Sequence, residues 1–377
     1  MLFDENAKEK IEDFYNRREE MERLKKGISE GRRIILVLGI RRIGKSSLVK
    51  VTLNSMNVPY IYFDVREVYI KYNYITSYGL YYALEEEFNK IVKSSIWSKI
   101  VDYLKRVRGV KVLGTGMEVE VEFSKYLKNI EPLLPQLFNA LNDWAKDNEK
   151  KVVVVFDEAQ YLRYSKINFR SLLAYVYDNL SCVTVVLTGS EVGLLHDLLR
   201  VNEPDSELYG RYMYEITLRK FSREQSIDFL VKGFHEYNIT PPMDVIEEAV
   251  YKLDGIVGWL VTFDRICVDK GVSRDAIEET FVKGVKQVSR ELKELYRRSI
   301  RYRLILEAIA YGHKTWSNIK RYLTARELKP IHDSILYSLL VTLQKMGIIE
   351  KEATKEGEII YKIVDPVVEY TIKRGIT

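Results

Sequence analysis

The stretch Gly39-Ile40-Arg41-Arg42-Ile43-Gly44-Lys45-Ser46-Ser47 decides the architecture. Two glycines bracket four residues, and a lysine and two hydroxyls follow the second glycine. The segment "RRIILVL" (32–38) runs into the loop as a short apolar run, and "LVKVTL" (48–53) leaves it as the start of an amphipathic helix. A strand, a glycine-bounded loop and a helix form a cradle for a phosphate chain. The loop's N–H groups converge on the anion, and the helix presents its positive end. Glycine is needed because a Cβ would obstruct close approach of the backbone. In the pattern G-x-x-x-x-G-K-[ST], Lys45 is expected on the β- and γ-phosphates and Ser46 on Mg²⁺.

Working outward, further apolar runs lie at 60–65, 152–156, 182–190 and 212–218. Helical patterns separate most of them, at 6–30, 75–108 and 132–150. Strands this apolar imply a parallel sheet covered on both faces. The alternation in "KVLGTGMEVEVEF" (111–123), broken by Gly-Thr-Gly, predicts a β-hairpin or a loop insertion. From Ser222, an expected N-cap, to about residue 298 the pattern is helical throughout. Beyond it, three helices and two alternating strands around Lys355-Glu356-Gly357 spell a winged helix-turn-helix. The expected class is α/β: a P-loop parallel sheet over 1–220, an all-α lid over 221–298 and a winged helix over 299–377.

The bulk sequence fits that plan. At 377 residues the chain is long enough for two or three domains. No apolar run approaches bilayer length, and the first residues lack the apolar core of a secretory signal. Cys182 and Cys267 stand apart, and the four histidines show no metal-type spacing, which disfavours zinc and suits a reducing cytoplasm. Charge is uneven. Residues 281–330 hold 13 Lys/Arg against 4 acids, a net +9 that leaves −4 elsewhere. An anionic partner such as DNA, met through this basic C-terminal third, would use that excess; a solvated basic helix face accounts for it equally well.

Three further stretches carry chemistry. "VVVVFDEAQ" (152–160) drives a strand into the core and brings Asp157 and Glu158 out at its C-terminal edge, where open α/β sheets bind ligands. Asp157 is expected to hold Mg²⁺ and Glu158 to polarise or orient the attacking water. Taken alone, Asp157 would serve equally well as a helix cap. "VVLTGS" (185–190) ends on Thr188 and Ser190, hydroxyls for the γ-phosphate or the water, or simply caps of a turn. In "LYGRYMYEITL" (208–218), Arg211 can stabilise charge on the transferring phosphoryl group, from its own or a neighbouring subunit, or form a plain ion pair.

With these residues in order, the chain resembles the archaeal ATPases of the AAA+ superfamily, relatives of the STAND ATPases and of the archaeal origin-recognition ATPases. "GIRRIGKSSL" is similar to that family's G-x-R-R-x-G-K-[ST]-S-L, which adds Arg42, Ile43 and Ser47 to Gly39, Gly44, Lys45 and Ser46 as implied nucleotide contacts. "FYNRREEMERL" resembles its entry motif, implying that Phe14, Asn16 and Arg17 pass the adenine. "DGIVGWL" resembles its lid motif, with Trp259 where a proline is usual, and "YKIVDPVVEY" its winged-helix ending. The resemblance implies a cytoplasmic, Mg²⁺-dependent ATPase that binds ATP and ADP and switches conformation between them, slowly until a protein partner, self-association or DNA supplies a missing group. It also leaves open a DNA-binding regulator in which ATP is mainly structural. The third helix of the winged unit bears on that choice. Ile335, Leu336, Leu339, Leu340 and Leu343 read as its core face, leaving few cations for phosphates.

Overall fold

The structure, a computed structural model, describes residues 1–72, 74–97, 99–114, 119–123 and 133–375, with the side chains of 77, 78 and 81 left aside. Five strands, β1 (Ile34–Leu38), β2 (Tyr60–Asp64), β5 (Val152–Asp157), β6 (Val183–Gly189) and β7 (Tyr214–Thr217), form a parallel sheet in the order β2-β5-β6-β1-β7. Their apolar runs split by parity. Ile34, Leu36, Leu38, Val152, Val154 and Phe156 enter one core, covered by helices Ser77–Ile91, Leu133–Asp147 and Phe169–Asn179. Ile35, Val37, Val153 and Val155 enter the opposite core, under helices Arg18–Ser29 and Lys45–Met56. Period-two alternation within an apolar run is what a sheet buried on both faces requires.

The predicted hairpin forms as β3 (Val110–Leu113) and β4 (Glu120–Phe123), antiparallel, with Val110 opposite Phe123. Residues 115–118, between the two strands in sequence, lie outside the described residues. Asn89 pins it, donating to the Val121 carbonyl at 3.1 Å and accepting from the Val121 N–H at 2.7 Å.

Ser222 does cap helix Arg223–Glu236, in a full capping box with Gln225. Three more helices, Met243–Leu253, Val257–Lys270 and Arg274–Arg298, complete the lid. The winged unit follows as Ile300–Ala310, Trp316–Glu327 and Asp333–Lys345, then the hairpin of β8 (Ile349–Ala353) and β9 (Ile359–Ile363). A last helix, Pro366–Lys373, starts on the Asp365 cap and was not legible in the sequence pattern. Lid and winged helix share one core that runs from Phe263 through Trp259 and Leu292 to Leu306 and Val367.

Three local expectations change. The helix read over 6–30 begins only at Arg18, after a single 3-10 turn at Ile11–Asp13, because Asn16 and Arg17 take left-handed backbone angles (φ 59° and 62°). The helix read over 75–108 breaks into Ser77–Ile91, Ser95–Trp97 and Ile100–Leu104, with Lys99 left-handed at φ 65°. Ile335 lies exposed on its helix, while Leu336, Leu340 and Leu343 are buried.

The first seventeen residues form a strap from the lid to the phosphate loop. Phe3 is fully buried among Phe229, Phe234 and Tyr237, and Gly233 makes room for it: a Cβ there would lie 1.8 Å from the Phe3 ring. The Lys8 N–H donates to Ser47 Oγ at 3.0 Å, and Tyr15 OH to Asp228 at 2.5 Å. Phe3→Ala empties an aromatic site in the lid core and is expected to lower stability by about 3 kcal/mol in chemical denaturation. Equal midpoints for the two proteins would show that the strap is not anchored there.

Candidate active site

A parallel sheet collects its strand ends at one edge, and this register aligns them closely. Leu38 lies beside Gly189, and Asp64 beside Asp157. The phosphate loop, the acids after β5 and the hydroxyls after β6 therefore meet. Gly39 (φ 148°) and Gly44 (φ 95°) hold backbone angles that other residues resist, and a Cβ on Gly39 would stand 2.7 Å from the Leu218 carbonyl.

Around the loop opens a cleft of ≈ 630 Å³ between sheet, lid and strap. Phe14, Arg17, Arg42, Ile43, Gly44, Lys45, Ser46, Ser47, Glu158 and Trp259 line it. Lys45 is buried, and its Nζ donates to the Gly39 and Ile40 carbonyls at 3.0 and 2.9 Å. Burial lowers the Lys45 pKa, against the pull of Glu158 and Asp157. An arriving anion would favour its charged form. Ser46 Oγ donates to Asp157 Oδ2 at 2.8 Å, Tyr62 OH to the same oxygen at 2.5 Å, and Thr188 Oγ1 to Oδ1. A hydroxyl and a carboxylate this close are the hard oxygen donors that Mg²⁺ takes.

Glu158 stands in the left-handed region (φ 54°, ψ 46°) at the start of the 3-10 helix Ala159–Tyr164. Its N–H donates to Thr188 Oγ1 at 3.0 Å. Its Oε2 accepts from Ser190 Oγ at 2.6 Å and from Gln160 Nε2 at 2.5 Å. Burial alone would raise the Glu158 carboxyl. Lys45, the Ser190 and Gln160 donors and Arg41 outweigh burial and hold it below the usual carboxylate range.

Some candidates lie elsewhere. Asn16, Ser190, Gly39 and Asp157 are not in the cleft lining; Ser190 reaches it through Glu158 and Asp157 through Ser46. Arg17 is buried at the rim, bonded to Glu20 at 3.1 Å and to the Arg219 carbonyl at 2.5 Å. Trp259 is buried, and its Nε1 donates to both Asp365 oxygens at 2.9 and 3.0 Å. Arg211 is outside the cleft and forks onto Asp178 at 3.0 and 2.6 Å. Gln160, Tyr62 and Lys283 are additions: Lys283 lines the cleft from the lid helix, and no sequence motif marked it.

Part of the basic C-terminal third is paired within the chain. Arg301 holds Glu327, Arg303 holds Glu307, Lys320 holds Asp333, and Lys345 reaches Asp197 on the ATPase core at 2.8 Å. Arg321, Arg326 and Lys329 are exposed, as are Lys286, Arg290, Lys293 and Arg297 on helix Arg274–Arg298.

Comparison with known proteins agrees with this geometry. Residues 14–263 match the family model of an ATPase domain found predominantly in Archaea, and 297–364 match the C-terminal winged helix-turn-helix domain of MCM proteins. The Walker-type ATPase of Pyrococcus abyssi is 37% identical over 99% of this chain and 100% of its own, with a TM-score of 0.81. The ORC2 protein of Aeropyrum pernix, described in ADPNP–ADP complexes, shares the fold at 17% identity over 100% of this chain and 98% of its own, with a TM-score of 0.61. No curated protein matches the chain. Among the described residues no helix is long and apolar enough to cross a membrane. A phosphate loop at the edge of a five-stranded parallel sheet, a helical lid and a winged helix thus coincide with the family match, and the chain belongs to the ATPase family found predominantly in Archaea, as an ATP-binding ATPase.

Proposed function

We propose that this ATPase is an Mg²⁺-dependent conformational switch, in which the state of the phosphate loop sets the placement of the lid and the winged helix. One observation carries the reading: Arg42, inside the phosphate loop, touches both C-terminal units. Its carbonyl accepts from the Gly258 N–H at 2.9 Å, and its guanidinium lies 4.4 Å over the Trp259 ring. The same guanidinium pairs with Glu291 of the lid at 2.9 Å and with Asp365 of the winged helix at 3.8 Å. Arg41 beside it reaches Glu291 at 2.8 Å. A shift of the loop on phosphate binding therefore disturbs ion pairs in both units.

In this reading Lys45 and the loop N–H groups bind the phosphates. Ser46 and Asp157 would hold Mg²⁺, which supplies charge neutralisation at the phosphate oxygens when bound. Glu158, ionised, orients the attacking water and takes its proton. The Phe14–Arg17 strap and the lid close over the base. The exposed Arg321, Arg326 and Lys329 leave DNA as a candidate trigger, and a protein or a second copy as the others.

The test is a distance measurement between labels at Tyr209 on the core and Leu328 on the winged helix, both well exposed. The distance distribution is expected to differ between ADP and a non-hydrolysable ATP analogue in the wild type, and to lose that difference in Arg42→Ala. Identical wild-type distributions with both nucleotides would refute the switch.

A further inference from the structure

Gln160 lies two residues after Glu158, is fully buried and contacts no bulk solvent. On a regular helix, side chains two apart diverge. Here the left-handed turn at Glu158 folds the chain so that Gln160 returns beside it. Gln160 Nε2 donates to Glu158 Oε2 at 2.5 Å and to Ser190 Oγ at 3.0 Å, and Ser190 Oγ donates to the same carboxylate oxygen at 2.6 Å. The three groups close a triangle on Oε2. The other oxygen, Oε1, accepts from no described residue, and Glu158 lines the cleft.

The amide's orientation is forced. Rotated by half a turn, it would place its carbonyl oxygen against a carboxylate. In the favourable orientation Gln160 Oε1 is left buried without a partner. An apolar residue would fill this site with no orphaned atom. The amide is thus held for its two donors, and both point to the apparatus that fixes Glu158. The surrounding elements contribute little else of that kind. Thr188 is engaged with Asp157 and the Glu158 backbone, and Arg41 with Glu191 and Glu291.

We infer that Gln160 is a positioning residue for ATP hydrolysis: with Ser190 it saturates one oxygen of Glu158 and so aims the other at the water in the cleft. The inference rests on the proposed role of Glu158. Removing the donors leaves nucleotide binding to the loop and lid, but frees the carboxylate to rotate.

Steady-state hydrolysis of MgATP by the wild type, Glu158→Gln, Gln160→Met and Gln160→Glu tests this, with ATP binding measured in parallel. Gln160→Met keeps the side-chain length and loses both donors. It is expected to lower kcat about tenfold and leave the ATP KM within about twofold. Gln160→Glu preserves size but sets an acceptor where Gln160 presents donors to Glu158 and Ser190, so kcat falls with KM again little changed; it carries the test if the methionine variant does not fold. Turnover retained in Glu158→Gln would remove the role of Glu158. An inactive Glu158→Gln with an unchanged kcat in a folded Gln160 variant would overturn the inference alone.

Discussion

Replacing Glu158 by Gln is expected to lower kcat for ATP hydrolysis by about 10²–10⁴-fold, the range ascribed to a positioned general base, while ATP still binds. The substitution is nearly isosteric and keeps an oxygen for Ser190 to donate to, so the loss is that of the charge. The Gln160 amide loses its charged partner, but the backbone bond from Glu158 to Thr188 is untouched. Lys45 provides an internal control. It is buried, and its charge is supported by Glu158 and Asp157. Neutralising Glu158 weakens that support in the empty site, whereas bound phosphate restores it. Nucleotide affinity should therefore change little even as turnover disappears. Equilibrium binding of ATP and phosphate release, measured on one preparation, check both halves. Turnover within a few-fold of wild type would move the water-directing role to another group.

The second large effect is one of stability. Asp264 is fully buried in helix Val257–Lys270, and neither of its carboxylate oxygens has a hydrogen-bond partner. Burial raises its pKa well above the ordinary value, so the folded lid prefers the neutral acid. The sign follows from linkage. The unfolded chain releases this proton near pH 4 while the folded chain retains it, so the wild type loses stability as pH rises above about 4, until the folded group itself ionises. Asp264→Asn is neutral at every pH. It is expected to match the wild type near pH 4 and to exceed it by about 1–3 kcal/mol at pH 8. Denaturant midpoints at the two pH values measure this, and a constant difference between the proteins would show that Asp264 is solvated or paired in solution. The buried Cys267 thiol, pushed up to about 12 mainly by burial, stays neutral throughout and does not confuse the measurement.

Several features follow from short-range physics and were therefore readable. The phosphate loop depends on nine consecutive residues and on the backbone freedom of Gly39 and Gly44. The parallel sheet follows from strands apolar on both faces. The Ser222 capping box is complete within four residues. Asp157 and Glu158 are delivered to the ligand edge by the strand that precedes them. Where local cues misled, the cause was also local. A charged, helix-favouring run from residue 6 gave no sign that Asn16 and Arg17 turn left-handed, or that Phe3 leaves for the lid.

The sequence by itself determined the ATPase core, the order of lid and winged helix, and the loop residues that line the cleft, because each is written in adjacent residues or a fixed period. Only the tertiary structure decided what those residues touch. Arg42 meets Glu291 and Asp365 across 249 and 323 positions of chain, Trp259 is claimed by Asp365, and Arg211 is held by Asp178. Gln160 acquires its role from a backbone turn and a hydroxyl thirty residues away. Ion pairs and buried hydrogen bonds of this kind have no period and no fixed spacing. They exist because parallel strands and a packed lid bring distant residues to one edge, where burial makes each unpartnered polar group costly.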